Sequence, residues 1–177
     1  KLAQTRILVN GASRRLLDEV DVITAVSGGS FTAAYFGLFG DKVFTDFPQR
    51  FLYRDMQADM ISTLLSPLQL AKMTGPRFNR TDAIAEYLDR SLFEGRTFQD
   101  LSSNGRSPYV ILNAMDLNTG TTFSFTQMQF DYLCSDLTTF PVARAVMASA
   151  AVPLIFAPIA LRNYPGPCPG RDPLWVR

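Results

Sequence analysis

The chain has 177 residues, 47% of them hydrophobic and 19% charged, an ordinary balance for one globular domain with a sizeable core and not that of a disordered tail. With 17 Lys and Arg against 16 Asp and Glu the net charge is +1, so there is no positive field to hold a nucleic-acid backbone, and nucleic acid is not expected as a partner. Histidine is absent, which removes the usual general base for a serine or cysteine nucleophile and the commonest metal ligand; a base must be a carboxylate or lie outside these residues.

The sequence opens on Lys1 with no leader pattern, so a piece of a longer protein is expected. Residues 2–9 read as the end of a helix leading into an extended piece, closed by the turn dipeptide Asn10-Gly11. Residues 20–26 are β-branched and mostly apolar, as a parallel strand buried on both faces would be. They stop at Ser27-Gly28-Gly29-Ser30, and the small-residue run 31–38 follows as a helix packed closely on the sheet. Between 44 and 64, Phe44, Phe47, Phe51, Leu52, Met56, Met60 and Leu64 recur at helical steps, predicting one amphipathic helix that begins near Pro48 and faces the core, with a lipid-facing surface as the alternative. Thr81 is placed to cap a further helix whose buried face is Ile84, Ala85, Leu88 and Leu92.

Residues 109–115 form a second core strand, and 121–126, with Phe123 and Phe125 alternating, a third. The residues between them make a hairpin. Asp116, Asn118 and Gly120 hint at a calcium loop, but its downstream glutamate is missing and turn chemistry accounts for them. A helix over about 141–150 has Pro141 in its first turn and four alanines, and Pro153 ends it. The longest apolar stretch, 146–161, is interrupted by Pro153 and Pro158 and reads as a buried strand-and-loop segment, not a membrane span. Residues 164–177 form a Pro/Gly-rich tail, and nothing suggests a second domain. Cys134 and Cys168 are too few for a disulfide scaffold or a thiolate zinc site; two free thiols are expected, with one disulfide as the alternative.

The chemistry centres on Ser27. A serine at a sharp strand-to-helix turn gains an exposed hydroxyl, a helix N-terminus behind it and backbone N–H groups free to receive an oxyanion. Such an elbow, in the pattern G-x-S-x-G, wants small residues two before and two after the serine; Ala25 and Gly29 fit, Ala25 at the cost of one methyl group. On the residues alone three readings stay open: a nucleophile, a helix cap, or a turn in which Gly28-Gly29-Ser30 cradles a phosphate. The phosphate reading lacks the lysine and hydroxyl of a P-loop and the third glycine and acidic partner of a dinucleotide site.

Residues 20–40, centred on Asp21-Val22-Ile23-Thr24-Ala25-Val26-Ser27-Gly28-Gly29-Ser30, resemble the nucleophile segment of bacterial patatin-like phospholipases. Residues 111–120 followed by Thr122-Phe123 are similar to that family's strand and hairpin, and residues 145–153 followed by Phe156 to its helix and proline-containing loop. The resemblance runs in the family's order from about 18 to 161. It implies a three-layer α/β/α fold with a mostly parallel central sheet, here incomplete at both ends, in a single partial domain. It also implies a serine hydrolase acting on carboxylic esters of lipids. Ser27 attacks the acyl carbonyl, the backbone N–H of Gly28 receives the oxyanion, an aspartate serves as base in a Ser-Asp dyad, and an acyl-enzyme is hydrolysed.

Neither metal nor cofactor is needed for that chemistry, and the implied partner is a membrane lipid or another acyl ester, with peripheral membrane contact. Two family elements are not matched. The only glycine before Ser27 is Gly11, so the glycine-rich oxyanion loop is missing. The dyad aspartate belongs to an Asp-Gly pair, whereas Asp172 is followed by Pro173; Asp116, a turn residue, is a weaker candidate still. The competing expectation is therefore a catalytically inactive lipid-binding or structural fragment.

Overall fold

A computed structural model of the chain describes residues 1–74, 78–103, 108–152, 156–164 and 168. It begins with a hairpin in which β1 (Arg6–Val9) pairs antiparallel with β2 (Ala12–Arg15). Asn10 and Gly11 between them take positive φ, 52° and 78°, as a two-residue turn matched to strand twist requires. In place of the expected helix end, a single turn precedes β1, with the N–H groups of Gln4 and Thr5 donating to the Lys1 carbonyl. One turn fixes several residues for very few bonds, and nothing packs it into a longer helix.

β3 (Val22–Val26) leads through Ser27 and Gly28 into α1 (Gly29–Phe39). The single helix expected over 44–64 is broken into α2 (Lys42–Phe47), a π-helical turn over Pro48–Leu52, and α3 (Met56–Leu64). The break falls where Asp55 accepts the Ala58 N–H at 2.9 Å and so starts a new helix. Of the predicted stripe, Phe47 is buried and Phe51, Met56, Met60 and Leu64 pack partly against the core, while Phe44 and Leu52 are exposed.

α4 (Pro67–Met73) is followed by α5 (Arg80–Ser91), capped by Asn79 and not by Thr81. Asn79 accepts from the N–H groups of Thr81 and Asp82 while Asp82 accepts from the Asn79 N–H, a reciprocal box that satisfies both ends. The Thr81 hydroxyl donates instead to the Ala157 carbonyl at 2.7 Å. Ile84, Ala85, Leu88 and Leu92 form the buried face as predicted.

α6 (Phe98–Ser103), absent from the sequence reading, precedes β4 (Tyr109–Asp116) and β5 (Thr121–Ser124). The remaining helices are α7 (Gln127–Tyr132) and α8 (Val142–Ala150), with Pro141 at the N-cap of α8. Residues 146–150, expected within a strand-and-loop segment, thus belong to a helix; Pro153 lies outside the described residues. No helix among the described residues is long and apolar enough to cross a membrane.

The main sheet has the order β3-β4-β5. β3 runs parallel to β4, Val22 opposite Tyr109 and Val26 opposite Asn113, and β5 returns antiparallel, Asn113 opposite Ser124. The class is α/β. Among the described residues α1, α6 and α8 cover one face of this sheet, where Val110 and Leu112 are buried. The opposite face, which the sequence reading also expected to be buried, carries exposed Val22, Val26, Tyr109 and Met115.

α5 packs on α8, and their apolar contact encloses an ion pair of Arg144 with buried Asp82 at 2.9 Å. Beside them Phe125 stacks on Phe98 at 6.1 Å and on Phe140 at 5.7 Å between centroids. Cys134 and Cys168 are not free thiols; they form a disulfide, with Cα atoms 5.7 Å apart. The reason is tertiary: the Tyr164 N–H donates to the Leu133 carbonyl at 3.1 Å and so returns the chain to the loop after α7. That return has no signature in local sequence.

Candidate active site

Ser27 sits at the tip of the turn between β3 and α1, exposed, with φ at +55°. Left-handed geometry costs a non-glycine residue about 1–3 kcal/mol and persists only where the surroundings enforce it. The turn is closed below by the Ser30 N–H donating to the Ser27 carbonyl at 3.0 Å. The Ser27 hydroxyl and the N–H groups of Gly28 and Gly29 have no hydrogen-bond partner among the described residues. An exposed hydroxyl therefore stands beside unfilled donors at the positive end of an 11-residue helix.

The N–H of Ser27 itself is taken. It donates to Ser149 Oγ at 2.9 Å, and Ser149 Oγ lies 2.7 Å from Ser30 Oγ and 2.6 Å from the Asn113 carbonyl oxygen. A carbonyl can only accept, so the single Ser149 proton goes to Asn113, and the Ser30 hydroxyl must donate to Ser149. Asn113 also ties the sheet together with its side chain. Nδ2 donates to Thr24 Oγ1 at 2.8 Å and to the Ala25 carbonyl at 3.0 Å, and Oδ1 accepts from Ser124 Oγ at 2.7 Å. Three strands and two helices thus meet behind Ser27.

The sequence reading missed Ser149 and Asn113 as site residues and gave Ser30 a place only in a phosphate cradle. A signal was present for the two serines. Val142, Ala145, Val146 and Ser149 lie at helical spacing on the sheet-facing stripe of α8, as do Ser30, Ala33, Ala34 and Gly37 on α1. A hydroxyl at a stripe position needs a buried partner.

Of the residues expected to shape the elbow, Ala25 is half-buried on the face beneath α1. A Cβ added to Gly28 or Gly29 would meet nothing within 4 Å among the described residues, so the close contact expected to require Gly29 is not expressed there. The tight approach lies further along α1, at Gly37, where a Cβ would fall 2.7 Å from Val110 Cγ2 and 2.8 Å from Leu101 Cδ2.

Asp116 is occupied by its own turn. The Asn118 N–H and then the Thr119 hydroxyl hold its carboxyl below the usual range, and Gly120, at φ +70°, donates back to the Asp116 carbonyl. Asp172 lies outside the described residues. Among the described residues no cluster of three or more acidic or cysteine side chains is placed to hold a metal ion. An apolar cavity of about 590 Å³ lies along the edge of β3 opposite β4, lined by Ile23, Val26, Gly29, Thr32, Phe36 and others.

A family model for patatin-like phospholipases matches residues 6–168. The chain belongs to that family. No curated protein and no solved structure matches it. Patatin-like phospholipases are lipid acyl hydrolases, and the matched span takes in the β3–α1 turn, the β4–β5 hairpin and α8, the elements that meet at Ser27. Within this patatin-like domain the exposed serine has behind it a hub of bonded polar groups from β3, β4, β5, α1 and α8.

Proposed function

We propose that the chain carries the nucleophile of a lipid acyl hydrolase and that this nucleophile is Ser27. One observation carries the reading: a serine in left-handed geometry at a strand-to-helix turn, its hydroxyl exposed beside the N–H groups of Gly28 and Gly29, which have no partner among the described residues. Of the three readings left open by the residues, a helix cap would place its oxygen on the N–H two or three residues on, and Ser27 makes no such side-chain bond among the described residues.

In the proposed reaction Ser27 Oγ attacks the acyl carbonyl, and its proton passes to a carboxylate base. The negative charge that develops on the carbonyl oxygen falls to the Gly28 N–H, with that of Gly29 beside it, strengthened by the α1 dipole. The C–O bond to the alcohol breaks as the base hands its proton to the departing oxygen, leaving an acyl-enzyme. Water, deprotonated by the same base, then attacks the acyl carbon, releasing the fatty acid and returning the proton to Ser27 Oγ. The apolar cavity bounded by Val26 and Gly29 offers the acyl chain a wall next to the nucleophile. The base completes a Ser-Asp dyad in this reading and lies beyond the residues described around Ser27.

The test is labelling of the full-length protein with a serine-directed fluorophosphonate, with the adduct located by mass spectrometry. The expected adduct is on Ser27, and Ser27→Ala abolishes it while lowering ester hydrolysis by at least ~1,000-fold. Undiminished labelling in Ser27→Ala overturns the proposal.

A further inference from the structure

We propose that Ser149 is a positioning residue for Ser27, holding the nucleophile's backbone in its left-handed turn through a hydroxyl that joins α8, α1 and β4. The inference rests on the reading of Ser27 as nucleophile and adds a residue that this reading does not require.

The argument runs from the count of donors and acceptors. A serine hydroxyl offers one proton and two lone pairs, and Ser149 uses all three: it donates to the Asn113 carbonyl at 2.6 Å and accepts from the Ser27 N–H at 2.9 Å and the Ser30 hydroxyl at 2.7 Å. Each partner has its own reason to stay put. Asn113 faces Val26 in the parallel register and is anchored by its side chain to β3 and β5. Ser30 is fully buried in the first turn of α1. Ser149 is separated from Ser27 by 122 residues, so no local preference of the turn supplies this bond.

Two consequences bear on chemistry. With its N–H held by Ser149, Ser27 cannot relax to ordinary extended or helical geometry without breaking that hydrogen bond to a partly buried, fully engaged hydroxyl, so the Ser27 hydroxyl stays aimed outward. The same bond removes the Ser27 N–H from the donors available to substrate. The oxyanion is thereby left to Gly28 and its neighbour, which fixes the side from which an acyl group is attacked. Ser149 touches neither substrate nor reacting atoms, so its loss acts on the rate of attack and not on binding.

The experiment compares the full-length protein with Ser149→Ala and Ser149→Thr, reading fluorophosphonate labelling rate at Ser27 together with kcat and KM on a chromogenic ester. Expected is a loss of about tenfold or more in labelling rate and kcat for Ser149→Ala, with KM within about twofold, and recovery to within about threefold in Ser149→Thr, which keeps the hydroxyl. Amide hydrogen exchange at Ser27 is expected to speed up in the alanine variant alone.

If Ser149→Ala melts without cooperativity, Ser149→Cys is read in its place, since a thiol keeps the volume but is a weak hydrogen-bond partner; the same loss is expected there. Labelling in folded Ser149→Ala or Ser149→Cys at the parent rate overturns this inference and leaves the Ser27 assignment standing. A parent protein that the reagent does not modify at Ser27 overturns the assignment, and this inference with it.

Discussion

β4 presents two faces that differ completely in surroundings. Leu112 is 0% exposed beneath the helices, while Met115, three residues on and of similar volume, is 67% exposed on the opposite side. The same split divides β3, where Ile23 and Ala25 pack against the core and Val22 and Val26 face outward. Both faces are mostly apolar in sequence; only one is covered among the described residues. The covered face carries the α8 hydroxyl and the first turn of α1 that hold Ser27. Apolar content thus identifies a strand without saying how many of its faces are occupied.

The largest expected effect tests that difference on a single strand. Leu112→Ala opens a cavity in a closed core and is expected to cost about 2–5 kcal/mol, whereas Met115→Ala removes a side chain already in solvent and stays within about 0.5 kcal/mol. Denaturant melts of the two variants check both numbers together. Equal losses would mean that the outer face is covered in solution, and the contrast between the faces would disappear.

What could be read from the sequence divides along the same line. The three strands of the main sheet, the helix after Ser27, the buried face of α5 and the extent of α8 follow from local pattern, and each stands within a few residues of its predicted place. Position 27 was marked by its spacing to Ala25 and Gly29, although the close packing that this spacing suggested is found at Gly37. Three of the features that were missed depend on chain return. Asn79 displaces Thr81 as the cap because Ala157 comes back to take the threonine hydroxyl. The disulfide needs residue 168 beside residue 134, and the Ser149 hub needs α8 beside the β3–α1 turn. Asp55, in contrast, was a local signal, a good capping residue hidden inside an otherwise continuous helical stripe.

The disulfide gives the second prediction. It closes a 34-residue separation on the side of the molecule where Phe130 and Phe140 pack, and a loop of that length supports about 2–4 kcal/mol of stabilisation. Thermal melts with and without reductant, alongside Cys134→Ser, are expected to show that loss. If reduction leaves the melt unchanged, packing alone holds the covered side, and the return of the chain at Tyr164 needs no covalent tie.

The smallest effect is the sharpest on how α1 is seated. Replacing glycine by alanine within a helix normally gains about 1 kcal/mol from propensity. At Gly37 the added methyl would meet Val110 Cγ2 and Leu101 Cδ2, both on well-packed core side chains, and such overpacking costs about 1–3 kcal/mol. The two terms oppose each other, and because buried Val110 and Leu101 have little room to give, the overpacking wins, leaving Gly37→Ala about 1 kcal/mol less stable than the parent. Gly28→Ala is the control at the start of the same helix: its φ of −55° suits any residue and its Cβ would meet nothing within 4 Å among the described residues, so its stability is expected to stay within about 0.5 kcal/mol. A Gly37→Ala protein more stable than the parent would show that α1 rides loosely on β4. The hub behind Ser27 would then rest on Ser149 and Asn113 alone, because the first turn of α1 could no longer be treated as fixed by the rest of its helix.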